Sequence, residues 1–133
     1  MDLFNTTVSR RAISPVVISD NTAAVSQIID RAGFDSLMFV IATGTLADAD
    51  ATFAVTIQHG DAANLSDAAT VPADELNGTI AGASFTFAED DAVKELGYNG
   101  VKRYVRLTIT PSNNTGSSPI SAVAILRDGK KQP

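Results

Sequence analysis

The clearest alternation of apolar and polar side chains lies in residues 96–112. Val105, Leu107 and Ile109 fall on one side of an extended backbone, and polar side chains fall on the other. This pattern predicts a half-buried strand that ends at Pro111. A turn is predicted to open this stretch, at Gly97, Asn99 and Gly100.

Comparable segments predict about eight β elements in all. The clearest of the others lie at residues 11–19, 23–31, 34–43, 51–59, 84–88 and 120–127. Residues 23–31 also fit a short helix, but their β-branched side chains favour a strand. The run at 34–43 is apolar and short, which predicts a central strand buried on both faces. In 51–59 the inward positions are Phe53, Val55 and Ile57.

The segments between the predicted strands also allow structural predictions. Residues 61–82 form a long connection rich in Ala, Asp, Asn and Gly, with Val71-Pro72 and Leu76 as its anchors. Residues 89–96 fit a helical turn that directs Val93 and Leu96 toward the core. Because few residues separate the last two strands, we predict that they pair as an antiparallel hairpin.

Many short strands without a long amphipathic helix indicate an all-β fold, and we predict a jelly-roll-like antiparallel β-sandwich with extended termini. At 133 residues, one domain with one core is expected. We assign residues 1–10 to an extended N-terminal arm, 11–127 to the sandwich and 128–133 to a basic tail.

Net charge and composition limit the classes of partner that the protein is expected to bind. The net charge of −5 weighs against a nucleic-acid partner, whose phosphates are normally neutralised by a basic surface. The absence of cysteine excludes disulfides and thiolate chemistry. No apolar run suits a signal peptide or a membrane span, so a soluble protein made in a cytoplasm, with no membrane partner, is expected.

Candidate catalytic and metal-binding residues are few. The single histidine, His59, lies at the end of the predicted 51–59 strand beside Gly60-Asp61, and we interpret it as a turn residue rather than a ligand or general base. Asp48 and Asp50 have the alternate spacing of a calcium loop but lack its remaining ligands. A second acidic group is Glu89, Asp90 and Asp91. We therefore expect no enzymatic activity, no cofactor and no bound metal.

One group of side chains stands out as a candidate interaction site. It consists of Tyr98, Lys102, Arg103, Tyr104 and Arg106, which we predict on the outer face of the 96–112 strand. Aromatic and cationic groups of this kind stack on sugars or bind nucleic acid. Arg and Tyr are also enriched in contacts between protein subunits, and this second interpretation is preferred.

Four segments resemble short proteins encoded in the virion-assembly modules of tailed bacteriophages. They are residues 26–30 (SQIID), 53–60 (FAVTIQHG), 96–110 (LGYNGVKRYVRLTIT) and 122–126 (AVAIL). The resemblance implies a role like that of capsid cement or decoration proteins, which bind the major capsid protein as dimers or trimers on the virion surface. Neck or tail roles belong to the same class. A host-surface glycan-binding module using Tyr98, Tyr104 and residues 61–82 is the alternative.

Overall fold

The computed structural model describes residues 2–127, which form two antiparallel sheets packed against one another. Sheet A contains, in spatial order, β1 (Thr7–Ile18), β11 (Ser118–Arg127), β4 (Ser36–Thr43), β9 (Val93–Tyr98) and β7 (Leu76–Asn77). The centre of sheet B is β10 (Tyr104–Ser112), which pairs on one side with β5 (Thr52–Gly60) and on the other with β2 (Ala24–Val25) and β3 (Ile29–Asp30). Two further short strands, β6 (Ala69–Thr70) and β8 (Phe85–Thr86), pair with β5.

Helices are short in the described residues. They comprise α1 (Leu3–Thr6), α2 (Ile80–Ala83) and the 3-10 turns Ala73–Glu75 and Phe87–Glu89. None of these helices is long or apolar enough to cross a membrane. Two packed antiparallel sheets with only short helices confirm the prediction of an all-β, jelly-roll-like antiparallel sandwich.

The core lies between the two sheets and follows the predicted alternation. Val105, Leu107 and Ile109 of β10 are all 0% exposed. The predicted inward residues of β5 are buried beside them, and Phe53 stacks on Phe85 with ring centroids 4.8 Å apart. The apolar contacts between two sheets are the main source of stability in a sandwich of this size.

Three predicted elements are wrong. The last two strands do not form a hairpin, because β10 lies in sheet B and β11 in sheet A. The connection 113–117 crosses between the sheets, and Asn113 adopts a left-handed backbone (φ 56°) there. Residues 89–96 do not form a helical turn: Val93 begins β9 and is 63% exposed, whereas Leu96 is buried as predicted.

The third correction concerns residues 96–112, which are two strands in different sheets. β9 includes Gly97 and ends at Tyr98, and β10 begins at Tyr104. The connection therefore lies at 99–103, so Asn99 and Gly100 belong to it as predicted, whereas Gly97 does not. Pro111 does not end β10, since the strand continues to Ser112.

Other boundaries shift more modestly. The 23–31 segment is divided into β2 and β3, because Ser26 turns inward and its Oγ accepts a hydrogen bond from Leu107 N. β4 is central in sheet A as predicted, but only one of its faces is fully buried. The connection 61–82 contains β6 and β7 and ends within α2, and its residues Val71 and Leu76 are buried.

The predicted N-terminal arm is shorter than expected. Residues 7–10 already belong to β1, where Thr7 pairs with Arg127 and Arg10 with Ala124. They pair because β11 offers them an open strand edge, which supplies backbone hydrogen bonds that a polar sequence can use. The predicted basic tail, residues 128–133, lies outside the described residues.

Candidate functional site

The candidate site is the loop of residues 99–103, which carries the chain from sheet A to sheet B. It joins the end of β9 to the start of β10 and contains two of the predicted interaction residues, Lys102 and Arg103. At its tip, Val101 is 86% exposed. Single exposed apolar side chains are common on protein surfaces, so the distinguishing feature of this one is the set of contacts that holds its loop in place.

Tyr98 fixes the loop from beneath. The ring is 1% exposed, and its hydroxyl lies 2.7 Å from His59 Nδ1 and accepts a hydrogen bond from Lys102 N at 3.1 Å. Burial raises the pKa of the Tyr98 hydroxyl above its ordinary value, so this group stays neutral and able to donate. Tyr98 is therefore a support of the loop and not the exposed stacking platform that the sequence predicted.

Arg31 holds the other side of the loop. Its guanidinium donates to Lys102 O at 2.9 Å and to Gly100 O at 3.1 Å, and it lies 4.9 Å from the centroid of the Tyr98 ring. The Arg31 backbone N–H also donates to Arg103 O at 2.9 Å. Buried hydrogen bonds from a charged donor are among the stronger polar contacts in proteins, so these bonds stiffen the loop.

Gly100 is required where the loop approaches the tyrosine. A Cβ atom on this residue would lie 2.4 Å from Tyr98 Oη and 2.7 Å from Glu75 Oε1. The preceding residue, Asn99, donates its backbone N–H to Glu75 O at 2.8 Å. Hydrogen bonds to the backbone and contacts with Tyr98 and Arg31 therefore hold the loop on both sides.

The cations of the loop are paired with carboxylates. Lys102 Nζ lies 3.0 Å from Asp61 Oδ2. Arg103 binds Asp30 through two hydrogen bonds, of 2.8 and 3.0 Å, and its guanidinium lies 5.0 Å from the centroid of the Tyr104 ring. The hydrogen bond from Arg103 lowers the pKa of Asp30 to about 2. Because each cation is paired with a carboxylate, Lys102 and Arg103 are held in place and create little net positive potential around the loop.

The structure brings together three of the five predicted interaction residues. Lys102, Arg103 and Tyr104 lie side by side at the end of sheet B. Tyr98 is buried, because the strand it ends belongs to the opposite sheet. Arg106 lies further along β10, where it donates to Gln58 Oε1 and its Nε is buried without a hydrogen-bond partner among residues 2–127.

Sequence reasoning missed three contributors: Arg31, Val101 and the supporting role of His59. The adjacent Asn99-Gly100 signalled a turn, but nothing in the local sequence indicates that Arg31, the residue after β3, reaches it. His59 is not in a turn: it is the penultimate residue of β5, 7% exposed, and its ring meets Tyr98 edge-on.

The acidic loops have structural partners of their own. Asp48 accepts hydrogen bonds from Thr115 N at 2.8 Å and from Asp50 N at 2.9 Å, which lowers its pKa. Glu89 pairs with Lys94. Within residues 2–127 no three His, Asp or Glu side chains come together as a metal site would require.

Comparison with known proteins shows the fold and no family. No family model matches the chain, and no curated protein matches its sequence. A structure of infectious bursal disease virus, Gx strain, is similar over 96% of this chain and 33% of the viral chain, with 14% identity and a TM-score of 0.53. The CBM22-1 and GH10 modules of Clostridium thermocellum xylanase 10B, with xylohexaose, match over 96% of this chain and 27% of theirs, with 12% identity and a TM-score of 0.49.

A third similar structure is the SPBc2 prophage-derived protein YomS, at 10% identity and a TM-score of 0.44, with 90% of this chain and 92% of that one covered. The chain thus spans a third or less of the first two proteins. At identities this low the likeness concerns architecture alone. The chain is an antiparallel β-sandwich, an architecture that it shares with the viral structure.

Proposed function

We propose that the protein is a non-enzymatic structural component of a tailed-phage virion, a capsid cement or decoration protein that binds the major capsid protein. The observation that carries the proposal is the fixed loop 99–103, which presents Val101 to solvent above a buried Tyr98 and Arg31. A loop ordered before binding loses little conformational entropy when it docks, and this favours protein recognition.

The chemistry of the site also favours a protein partner. Val101 offers an apolar contact, and the paired Lys102 and Arg103 follow it in the loop as polar neighbours. Protein interfaces combine an apolar centre with a polar rim in this manner. The resemblance of residues 96–110 to phage virion-module proteins, and the architecture shared with a viral structure, support the same role.

The test begins with particles from the strain that carries the gene. Mass spectrometry of purified particles is expected to find the protein in many copies, and purified protein is expected to co-sediment with shells that lack it. Absence from particles together with failure to co-sediment would overturn the proposal.

A matched pair of variants then tests the loop. Val101→Asp places a charge at the centre of the proposed contact and is expected to reduce co-sedimentation at least tenfold. Val25→Asp, at another exposed valine (54%), is the control and should bind as the wild type does. Equal binding by the two variants would remove the loop as the contact but would leave a virion role intact.

A second candidate function, glycan binding, is favoured by the outer face of sheet B. There Tyr104 begins a row of polar side chains along β10 that continues through Arg106, Thr108 and Thr110. An aromatic ring beside hydroxyl groups is suited to stacking on a sugar. Binding on a glycan array that is lost in Tyr104→Ala would support this function, and an array without binding would exclude it.

A further inference from the structure

The outer face of sheet A is mainly apolar across four of its strands, with Ser121 of β11 beside Ala42 of β4. The residues that form this apolar face are Val17, Met38, Val40, Ala42, Val93, Val123 and Ile125. Val17, Val93 and Val123 are 57%, 63% and 41% exposed. A sandwich normally turns polar side chains outward on both sheets, as sheet B does here with its threonines. A contiguous apolar face of this kind is typical of a protein contact.

One cross-strand row on this face carries opposite charges at its two ends. Strand register aligns Arg11 of β1, Val123 of β11, Val40 of β4 and Glu95 of β9. Neither charged side chain makes a hydrogen bond or ion pair within residues 2–127, and both are exposed. Three strand spacings of ~4.8 Å separate them by roughly 14 Å, too far for an ion pair within one chain.

The row is self-complementary under a two-fold axis. An axis parallel to the strands, passing between β11 and β4, exchanges Val123 with Val40 and Arg11 with Glu95. The neighbouring row behaves in the same way: Ile125 is exchanged with Met38, and Ser9 with Gly97. At the centre of these two rows apolar side chains therefore meet apolar ones, and in the first row each unpaired cation meets an unpaired carboxylate.

We propose that two copies of the chain form a homodimer through the apolar face, with this two-fold axis. Arg11 of each protomer lies opposite Glu95 of the other, and Val123 lies opposite Val40. Sheets that stack face to face are about 10 Å apart, a distance that Arg and Glu side chains bridge. A two-fold contact uses the same patch on both protomers, which is what the rows require.

The size of the face suits a dimer. The eight residues of β4 and the five strands of sheet A frame a surface of about 27 by 19 Å, roughly 500 Å² in projection. Accessible area exceeds projected area, so the face approaches the roughly 600–1,000 Å² that each partner contributes to a specific interface. Next to it, Leu3 of α1 is 70% exposed and borders a groove of about 530 Å³ with Met38 and Ile125, which extends the apolar surface.

The dimer does not depend on the virion role, and its test is separate. Sedimentation velocity of the intact chain is expected to show a concentration-dependent dimer. Val123→Glu is expected to yield a monomer that keeps the β-sheet circular dichroism spectrum of the wild type. Thr56→Glu, at an exposed position on the outer face of sheet B, is the control and should remain dimeric.

Charge exchange tests the register of the contact. Arg11→Glu and Glu95→Arg each place like charges opposite one another, twice per dimer, and are expected to raise the dissociation constant about tenfold or more. The double variant R11E/E95R is expected to restore it. A monomeric wild type, a trimer, or a double variant no better than the singles would overturn the proposal.

Discussion

The Nδ1 atom of His59 and the hydroxyl oxygen of Tyr98 lie 2.7 Å apart between the two sheets. His59 belongs to β5 of sheet B and Tyr98 to β9 of sheet A, so this bond ties the sheets together directly below the 99–103 loop. The same hydroxyl accepts from Lys102 N, which connects the tie to the candidate site.

Removing this hydroxyl is expected to destabilise the protein and free the loop. Tyr98→Phe leaves His59 Nδ1 and Lys102 N without their partner, and one unsatisfied buried polar group costs about 1–3 kcal/mol. Chemical denaturation measures the loss of unfolding free energy, and amide exchange at Lys102 should accelerate. Tyr104→Phe, at the half-exposed neighbouring tyrosine, is the control and should leave both measurements unchanged.

Gly100→Ala is expected to destabilise the protein by about 1–3 kcal/mol, because the added Cβ overlaps Tyr98 Oη and forces a shift of packed groups. Val101→Ala, one residue further at the exposed tip, should stay within about 0.5 kcal/mol of the wild type. Thermal or chemical unfolding of both variants gives the comparison. If Gly100→Ala matched the wild type, the loop would be more adaptable than its contacts indicate.

Leu107→Ala is expected to cost roughly 2–5 kcal/mol, since this fully buried side chain would leave a cavity between the sheets. Chemical denaturation again measures the change. Thr110→Ala, on the outer side of the same strand, should change the unfolding free energy by less than about 1 kcal/mol. A loss of under about 0.5 kcal/mol for Leu107→Ala would contradict the inward position of this residue.

The pair formed by Asp30 and Arg103 predicts a specific dependence on pH. The pKa of Asp30 is about 2 in the folded protein against an ordinary value of 3.8, so its ionised form favours folding. This contribution is present above pH 3.8 and is lost as the pH falls toward 2. Because both side chains are about half exposed to solvent, this pair contributes little to the free energy of unfolding.

An NMR titration of the Asp30 carboxyl carbon tests this directly. The wild type should titrate with a midpoint near 2, and Arg103→Gln should move the midpoint up toward 3.8, since the hydrogen bond from Arg103 is the largest cause of the shift. An unchanged midpoint in Arg103→Gln would show that the backbone N–H of Ala32, which also donates to Asp30, is sufficient.

Strand interiors were predictable from the sequence because alternation has a period of two and each inward residue is apolar. This is why Val105, Leu107 and Ile109 were assigned correctly. Alternation does not report which sheet a strand joins. A five-residue connection serves a hairpin and a crossing between sheets equally well, and the predicted pairing of β10 with β11 failed for that reason.

The same limit explains the error at Tyr98. The sequence suggested one strand across residues 96–112, which placed Tyr98 and Tyr104 on a common outer face. The break at 99–103 transfers the chain to the other sheet, so Tyr98 points into the core while Tyr104 remains outside. The contacts of Arg31 join positions about 70 residues apart in the chain, and no local pattern encodes them.

The strand order β1-β11-β4 has a consequence for how the protein forms during synthesis. β11 is the only sheet neighbour of β1 among the described residues, and it also separates β1 from β4. Until residues 118–127 leave the ribosome, β1 has no partner and β4 lacks one of its two. Sheet A is therefore completed by inserting a late strand between two earlier ones, a non-local step that makes folding slow and leaves apolar edges open to aggregation until it occurs.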